Sequence, residues 1–334
     1  MVEVVSGGAG FIGSHLCDRL INDGLEVVAI DNLVTGRLTN LASLLSHPRF
    51  TFLRHDVIEA LPELPRVDRI YHLASPASPP AYQKYQIATM RVNAEGTRRL
   101  LDLAARDGAR FLFASTSEVY GDPLVHPQLE DYRGNVSSTG PRSMYDEAKR
   151  YGEALTQAYA EERGVDTRII RIFNTYGPRL DPADGRVISN FLVQALRGQP
   201  LSIFGDGTQT RSFQYVDDLI EGMTRTMESL FRGPINIGNP EEYTMLELAR
   251  LVQQLMGGDN GLVFHPLPGD DPRQRRPDIS LAWSELGWKP FVPVRDGLKR
   301  TIDYFRNELA NDAVESRLAL VGNPALQLQV RVPA

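Results

Sequence analysis

The chain has 334 residues, of which 42% are hydrophobic and 23% charged, and a net charge of −6. That is enough for one large or two closely joined domains, and the acidic balance excludes a general nucleic-acid binder, which needs a basic face. The one cysteine, Cys17, excludes an internal disulfide framework. The six histidines fall in no metal-ligand spacing, so no metal is expected. No apolar run reaches the ~18 residues of a membrane span, so no membrane partner is expected either. Because the N-terminus opens directly into a strand with no cationic leader, the cytoplasm is the expected location.

Short apolar strands are predicted at residues 2–5, 26–30, 50–53, 69–73, 110–115 and 167–172. Between them lie helices predicted at 11–22, 82–107 and 143–163, the last ended by Gly164. This alternation predicts an α/β fold, a Rossmann-type doubly wound parallel sheet with a smaller C-terminal α/β substrate-binding lobe. After Thr175 glycine and proline become denser, and helices are predicted at 192–197, 216–230, 245–256 and 294–307. The expected division is a cofactor domain over 1–175, to which some later segments return, a substrate lobe over 176–310, and a tail over 311–334.

The run Gly7-Gly8-Ala9-Gly10-Phe11-Ile12-Gly13 follows the first strand and opens the first helix. Gly7, Gly10 and Gly13, with Phe11 and Ile12 between them, suit a pyrophosphate site. Glycine allows the tight turn and the close backbone approach, and the helix N-terminus favours phosphate charge. Asp31, 18 positions after Gly13, ends the second strand. Its carboxylate can accept both ribose hydroxyls and repels a 2′-phosphate, so NAD is expected over NADP, with nearby Arg37 the feature that blurs the preference. Asp56, after the third strand, is placed either to meet the adenine edge or to cap a helix. Asn32, Val57, Leu73 and Ala74, beside these strand ends, are further cofactor-binding candidates, together with Tyr145 and Lys149.

Tyr145 and Lys149 stand at i and i+4, on one helix face. A free tyrosine has a pKa of about 10, and a neighbouring ammonium together with a positive nicotinamide is expected to make it a usable base. Thr116, at the end of the strand over 110–115, could hydrogen-bond the same substrate oxygen. A YxxxK pair alone is common on surface helices; here it gains weight from the dinucleotide motif before it.

In these features the chain resembles the extended short-chain dehydrogenase/reductase superfamily, up to about residue 307. More narrowly, it resembles the UDP-glucuronate decarboxylases (UDP-xylose synthases) in six blocks: HLASPASPP at 72–80, STSEVYGDP at 115–123, RIFNTYGPR at 171–179, DGRV at 184–187, QTRSFQY at 209–215 and RRPD at 275–278. Two departures are a glycine motif that starts almost at residue 1 and an unfamiliar stretch after Ala310. The resemblance implies that Tyr145 is the acid/base at the sugar C4 hydroxyl, that Lys149 supports it, and that Thr116 orients the hydroxyl. It implies that Glu118 and Arg275 serve the glucuronate end, with Ser117 between them in the signature, and that Asn93 is a structural asparagine behind the active-site helix. Asn174, Arg179, Arg186, Gln209 and Arg211 are expected to hold the uridine diphosphate, the local basic cluster that an acidic chain needs for an anionic substrate. Tightly bound NAD, a UDP-sugar substrate and a homodimer through a four-helix bundle of the helices over 82–107 and 143–163 follow by the same implication. In that bundle Met144, Ala148, Leu155 and Ala158 can face inward.

Decarboxylation is favoured over the reactions of related enzymes. The 4,6-dehydratases carry an aspartate and a glutamate after the threonine, and here Ser117 stands at the aspartate position. Oxidation at C4 makes the C6 carboxylate β to a ketone; loss of carbon dioxide leaves an enolate that protonated Tyr145 can stabilise. The alternatives are a 4-epimerase, a 4,6-dehydratase, or a decarboxylase that releases the 4-keto pentose. A different class, an NAD-binding redox sensor, would be free to lose Tyr145 or Lys149, and both are present.

Overall fold

The computed structural model describes residues 1–266 and 274–320. β1 (Val2–Ser6) is buried almost throughout, as a strand covered on both faces must be. The glycine run turns the chain into α1 (Phe11–Asn22), which leads to β2 (Glu26–Asp31), β3 (Phe50–Arg54) and β4 (Arg69–His72). Three short helices come next, α2 (Pro79–Lys84), α3 (Gln86–Arg91) and α4 (Thr97–Asp107), then β5 (Arg110–Thr116), α5 (Ser143–Arg163) and β6 (Thr167–Ile172). Gly108 and Gly164 end α4 and α5 in the left-handed conformation that glycine adopts without penalty.

Beyond β6 come β7 (Thr175–Tyr176), α6 (Val187–Leu196), β8 (Leu201–Phe204), β9 (Thr210–Ser212), β10 (Gln214–Tyr215), α7 (Val216–Glu228) and β11 (Pro234–Ile237). The rest is β12 (Glu242–Thr244), α8 (Met245–Met256), β13 (Leu262–His265), β14 (Gln274–Arg275), α9 (Ser280–Leu286) and α10 (Val294–Leu320). α8 starts on a capping box in which Thr244 and Glu247 satisfy each other's backbone N–H.

Among the described residues seven strands form one sheet in the order β11-β6-β5-β4-β1-β2-β3, and every pairing in it is parallel. The expected doubly wound parallel sheet is borne out. Strand order reverses between β1 and β4, so their carboxyl ends part into a crevice, the usual ligand position in such sheets. Smaller sheets, β12-β9-β14 and β13-β8, rise beside that crevice. One core cluster joins α1, α6, α7 and α10 through Leu20, Leu192, Met223 and Phe305; a second lies under α4 and α5 around Leu100, Phe111 and Phe113, and a small third holds Val119, Tyr120 and Phe173.

Three helices differ from expectation. The helix predicted over 82–107 is broken at Tyr85, whose backbone is non-helical (φ −115°, ψ 46°), and again by a π-turn at Val92–Gly96. There the Asn93 amide donates to Thr89 O (2.8 Å) and Ser75 Oγ (2.9 Å), and the Thr97 hydroxyl donates to Asn93 O (2.7 Å). Side-chain bonds to the backbone compete with the helix's own ladder and hold the wider turn. The helix predicted over 192–197 already begins at Val187. The one predicted over 294–307 runs to Leu320, through the first part of the expected tail; residues 321–334 lie outside the described residues. Among the described residues no helix is long and apolar enough to cross a membrane.

Candidate active site

A cavity of about 960 Å³ opens at the carboxyl ends of β1, β4 and β5. Its floor is the glycine run. Gly7 has φ +77°, and a Cβ on Gly13 would lie 2.0 Å from Gly7 O, so α1 can start this close only without a side chain. α1 has no side-chain cap, which leaves its first N–H groups to a ligand. At the end of β2 the Asp31 carboxylate accepts the N–H groups of Ala9 (3.0 Å) and Leu33 (2.8 Å). Burial raises the pKa of this acid, and the two N–H groups oppose the rise. Both carboxylate oxygens face Gly36, where a Cβ would come within 2.7 Å of them, and Gly36 lines the cavity. A backbone cradle, an uncapped helix start and a strand-end carboxylate together fit a dinucleotide. Arg37, also on the wall, is tied to Glu308 of α10.

α5 rests directly on β5, because at Gly152 a Cβ would come within 2.2 Å of the Phe113 ring. This seats Lys149 so that its Nζ donates to Ala114 O (2.8 Å), 5.0 Å from the Phe113 ring centre and 5.9 Å from that of Tyr145. Burial pushes the Lys149 ammonium down to about 7, with Glu153 one turn on opposing it. Tyr145 is 5% exposed. Burial pushes its phenol above the usual range, while hydrogen bonding with Thr116 pulls the other way. Arg186 also lowers the phenol, and the charges of Glu118 and Asp146 raise it. Both groups are shielded from water, and the lysine itself sheds its proton near neutrality. Tyr82 stacks on Tyr145 with ring centres 4.9 Å apart and planes within 8°.

Glu118 lies on the single turn Ser117–Tyr120 that follows Thr116, whose Oγ1 accepts the Glu118 N–H (3.2 Å). Two arginines hold its carboxylate: Arg142 Nη2 lies 2.7 Å from Oε2, and Arg275 Nη1 bonds Oε1. Burial works against ionisation here, but the charges of Arg275 and Arg142 outweigh it and hold the acid at about 2. Arg275 is 3% exposed, on β14, in register with Arg211 of β9. Its Nε and Nη2 meet no partner among the described residues. Buried donors left over from one ion pair call for a further acceptor.

Most of the other candidates meet at the same cavity. Arg186 makes a two-pronged pair with Asp184 (2.5 and 2.9 Å). Arg179 reaches Asp18 (2.6 Å), and the Gln209 amide donates to Phe204 O (2.7 Å). These three line the wall with Asn174, Arg211, Ser117 and Leu73. Asn32, Asp56, Val57 and Ala74 do not. Asn32 Nδ2 donates to Asp56 (2.9 Å), whose other oxygen accepts the Ile58 N–H (3.1 Å), so Asp56 ties Asn32 to the turn after β3. Val57 is in the core beneath α4, against Gly96. Sequence reasoning missed Tyr82 and Arg142. Pro79 and Pro80 open the helix that carries Tyr82, and Arg142 stands one turn before Tyr145, so a signal existed for both.

A family model described as the NAD dependent epimerase/dehydratase family matches residues 4–238. UDP-glucuronic acid decarboxylase 1 of Arabidopsis thaliana is 54% identical over 309 residues, which cover 92% of this chain and 71% of that protein. Among solved structures, UDP-glucose 4-epimerase of Thermotoga maritima with UDP-glucose superposes with a TM-score of 0.86 at 33% identity, over 92% of this chain and 100% of that one. UDP-glucuronic acid 4-epimerase of Bacillus cereus, in complex with UDP-glucuronic acid and NAD, gives 0.83 at 32% identity, over the same shares of the two chains.

Proposed function

We propose, from the premise that the chain belongs to the NAD dependent epimerase/dehydratase family, that it decarboxylates UDP-glucuronate to UDP-xylose with NAD held throughout. The observation that carries this reading is Arg275, buried against Glu118 in the cavity that Tyr145 also lines, with two donors that meet no partner among the described residues. A guanidinium in that state suits a carboxylate on the substrate, and a neutral hexose would leave it wanting.

Bound NAD supplies a hydride acceptor, later a hydride donor, and positive charge. Tyr145 Oη takes the proton of the C4 hydroxyl, which Thr116 Oγ1 orients. Arg275 holds the C6 carboxylate, which is β to the ketone once C4 is oxidised. When carbon dioxide leaves, negative charge collects on the C4 oxygen, and the proton on Tyr145 Oη meets it. A proton then adds at C5 and C4 is reduced, so one UDP-glucuronate and one proton give one UDP-xylose and one carbon dioxide. Lys149 steadies Tyr145 through the buried helix face that they share. Arg179, Arg186 and Arg211, with Asn174 and Gln209, serve the uridine diphosphate, and Asp31 the adenosine ribose. Residues 1–175 carry the cofactor, residues 176–310 the substrate.

The working unit is a homodimer joined through α3 and α5. Ile87 (76% exposed) and Met90 on α3 and Tyr151 on α5 are large apolar groups open to solvent on these helices. Light scattering at micromolar concentration is expected to give twice the chain mass. The single buried cysteine, Cys17, suits a reducing compartment such as the cytoplasm. To test the activity, purified protein is mixed with UDP-glucuronate and no added NAD, the product mass is read by mass spectrometry, and the sugar's stereochemistry by proton NMR. UDP-xylose with released carbon dioxide is expected; UDP-galacturonate, the product of epimerisation, would overturn the assignment.

A further inference from the structure

Arg275 owes its place to a residue far from it in sequence. β14 is only two residues long, and β9 holds one side of it. The next peptides of the chain are gripped by Gln128, a fully buried side chain in the segment between β5 and α5. Gln128 Oε1 accepts the N–H of Arg276 (2.8 Å), and the Gln128 N–H donates to Arg276 O (2.9 Å). Gln128 O accepts the N–H of Asp278 (2.8 Å), and Gln128 Nε2 donates to Val125 O (2.8 Å). Residue 276 is thus held at both its N–H and its carbonyl, one position after the arginine.

The same frame reaches Glu118. Asn236 of β11 donates through Nδ2 to Gln128 O (3.0 Å), and its Oδ1 accepts the Tyr120 hydroxyl (2.7 Å). Tyr120 ends the turn on which Glu118 stands. Both partners of the Glu118–Arg275 pair are therefore referred to one buried polar frame. A charge-assisted contact depends on the placing of its fork to within a fraction of an ångström, and a buried hydrogen-bonded frame supplies that stiffness.

We propose that Gln128 is the positioning residue for the carboxylate end of the site: its side chain fixes the Arg276 peptide and so sets Arg275 opposite Glu118 and the sugar carboxylate. This rests on the reading that Arg275 receives that carboxylate. Gln128→Met keeps the length and bulk of the side chain and loses both polar atoms. It is expected to weaken UDP-glucuronate binding about tenfold, the scale of one lost buried hydrogen bond, and to leave UDP binding and retained NAD within about twofold of wild type. In an Arg275→Met background the same change is expected to add nothing.

Equal weakening of UDP and UDP-glucuronate, wild-type binding of both, or a full added effect on top of Arg275→Met would each overturn the proposal. If Arg275→Met alone binds UDP-glucuronate like wild type, the carboxylate reading itself fails, and that result is distinct. Should Gln128→Met not fold, Gln128→Glu keeps an oxygen for the Arg276 N–H. Its ratio of UDP-glucuronate to UDP affinity is expected within about threefold of wild type, one hydrogen bond short, and a collapsed ratio overturns the idea.

Discussion

At Tyr145 and Lys149 burial dominates the chemistry. Tyr145→Phe removes the oxygen that exchanges the C4 proton and keeps the ring that stacks on Tyr82. Carbon dioxide release is expected to fall at least about 100-fold, the lower range for a lost general base, while retained NAD is unchanged. Lys149 carries a second prediction. An unfolded lysine titrates near 10.5, and in the folded site burial pushes it down to about 7. Between those values the unfolded chain binds a proton that the folded one does not, so this group costs stability increasingly as pH falls from 10.5 to 7 and by a constant amount below. Lys149→Met abolishes that cost along with the activity. Thermal melts should show the variant's Tm gaining on wild type from about pH 10 to pH 7; a difference independent of pH would show that the lysine is not buried as a strained cation.

The contact of α5 with β5 sets the geometry of the site, and Gly152 is its tightest point. Gly152→Ala puts a methyl group into the Phe113 ring, so helix or ring must move. Overpacking of this kind costs about 1–3 kcal/mol. Melting temperature and turnover should both drop, and Phe113→Leu in the same chain should restore part of each. Elements of this kind were legible in the sequence: β1 to β6, α1 and α5 have apolar patterns that show in a short window, and Gly164 marks the end of α5. The breaks in the helix predicted over 82–107 were not, because they come from Asn93 and Thr97 bonding to backbone, which leaves the apolar period unchanged. β7 to β14 are two to four residues long, too short for a period to show, and β11 is a strand only because β6 offers it an edge. The same divide runs through the site. Tyr145, Lys149, Thr116 and the glycine run stand in local motifs, and Glu118 and Arg275 were found by resemblance. Gln128 has no local mark, since the peptide it holds lies 148 residues on.

On the scale of the whole molecule, Glu118 and Arg275 are 157 residues apart, so the carboxylate end of the site exists only when the chain is folded throughout. The order of the central sheet has a further consequence, for the chain as it is made. β6 is complete at Ile172, but the strand that covers its outer edge, β11, begins only at Pro234. At the usual 5–20 residues per second, a ribosome needs roughly 3–12 s to cross that gap. For that interval the apolar, unpaired edge of β6 is a template for any passing strand. Nascent chains stalled with β11 still inside the ribosome should be cut readily near β6 by a brief protease pulse and should engage chaperones. Chains stalled after Ile237 has emerged should gain protection there, and equal cleavage in both sets would show that the edge is shielded by some other part of the chain.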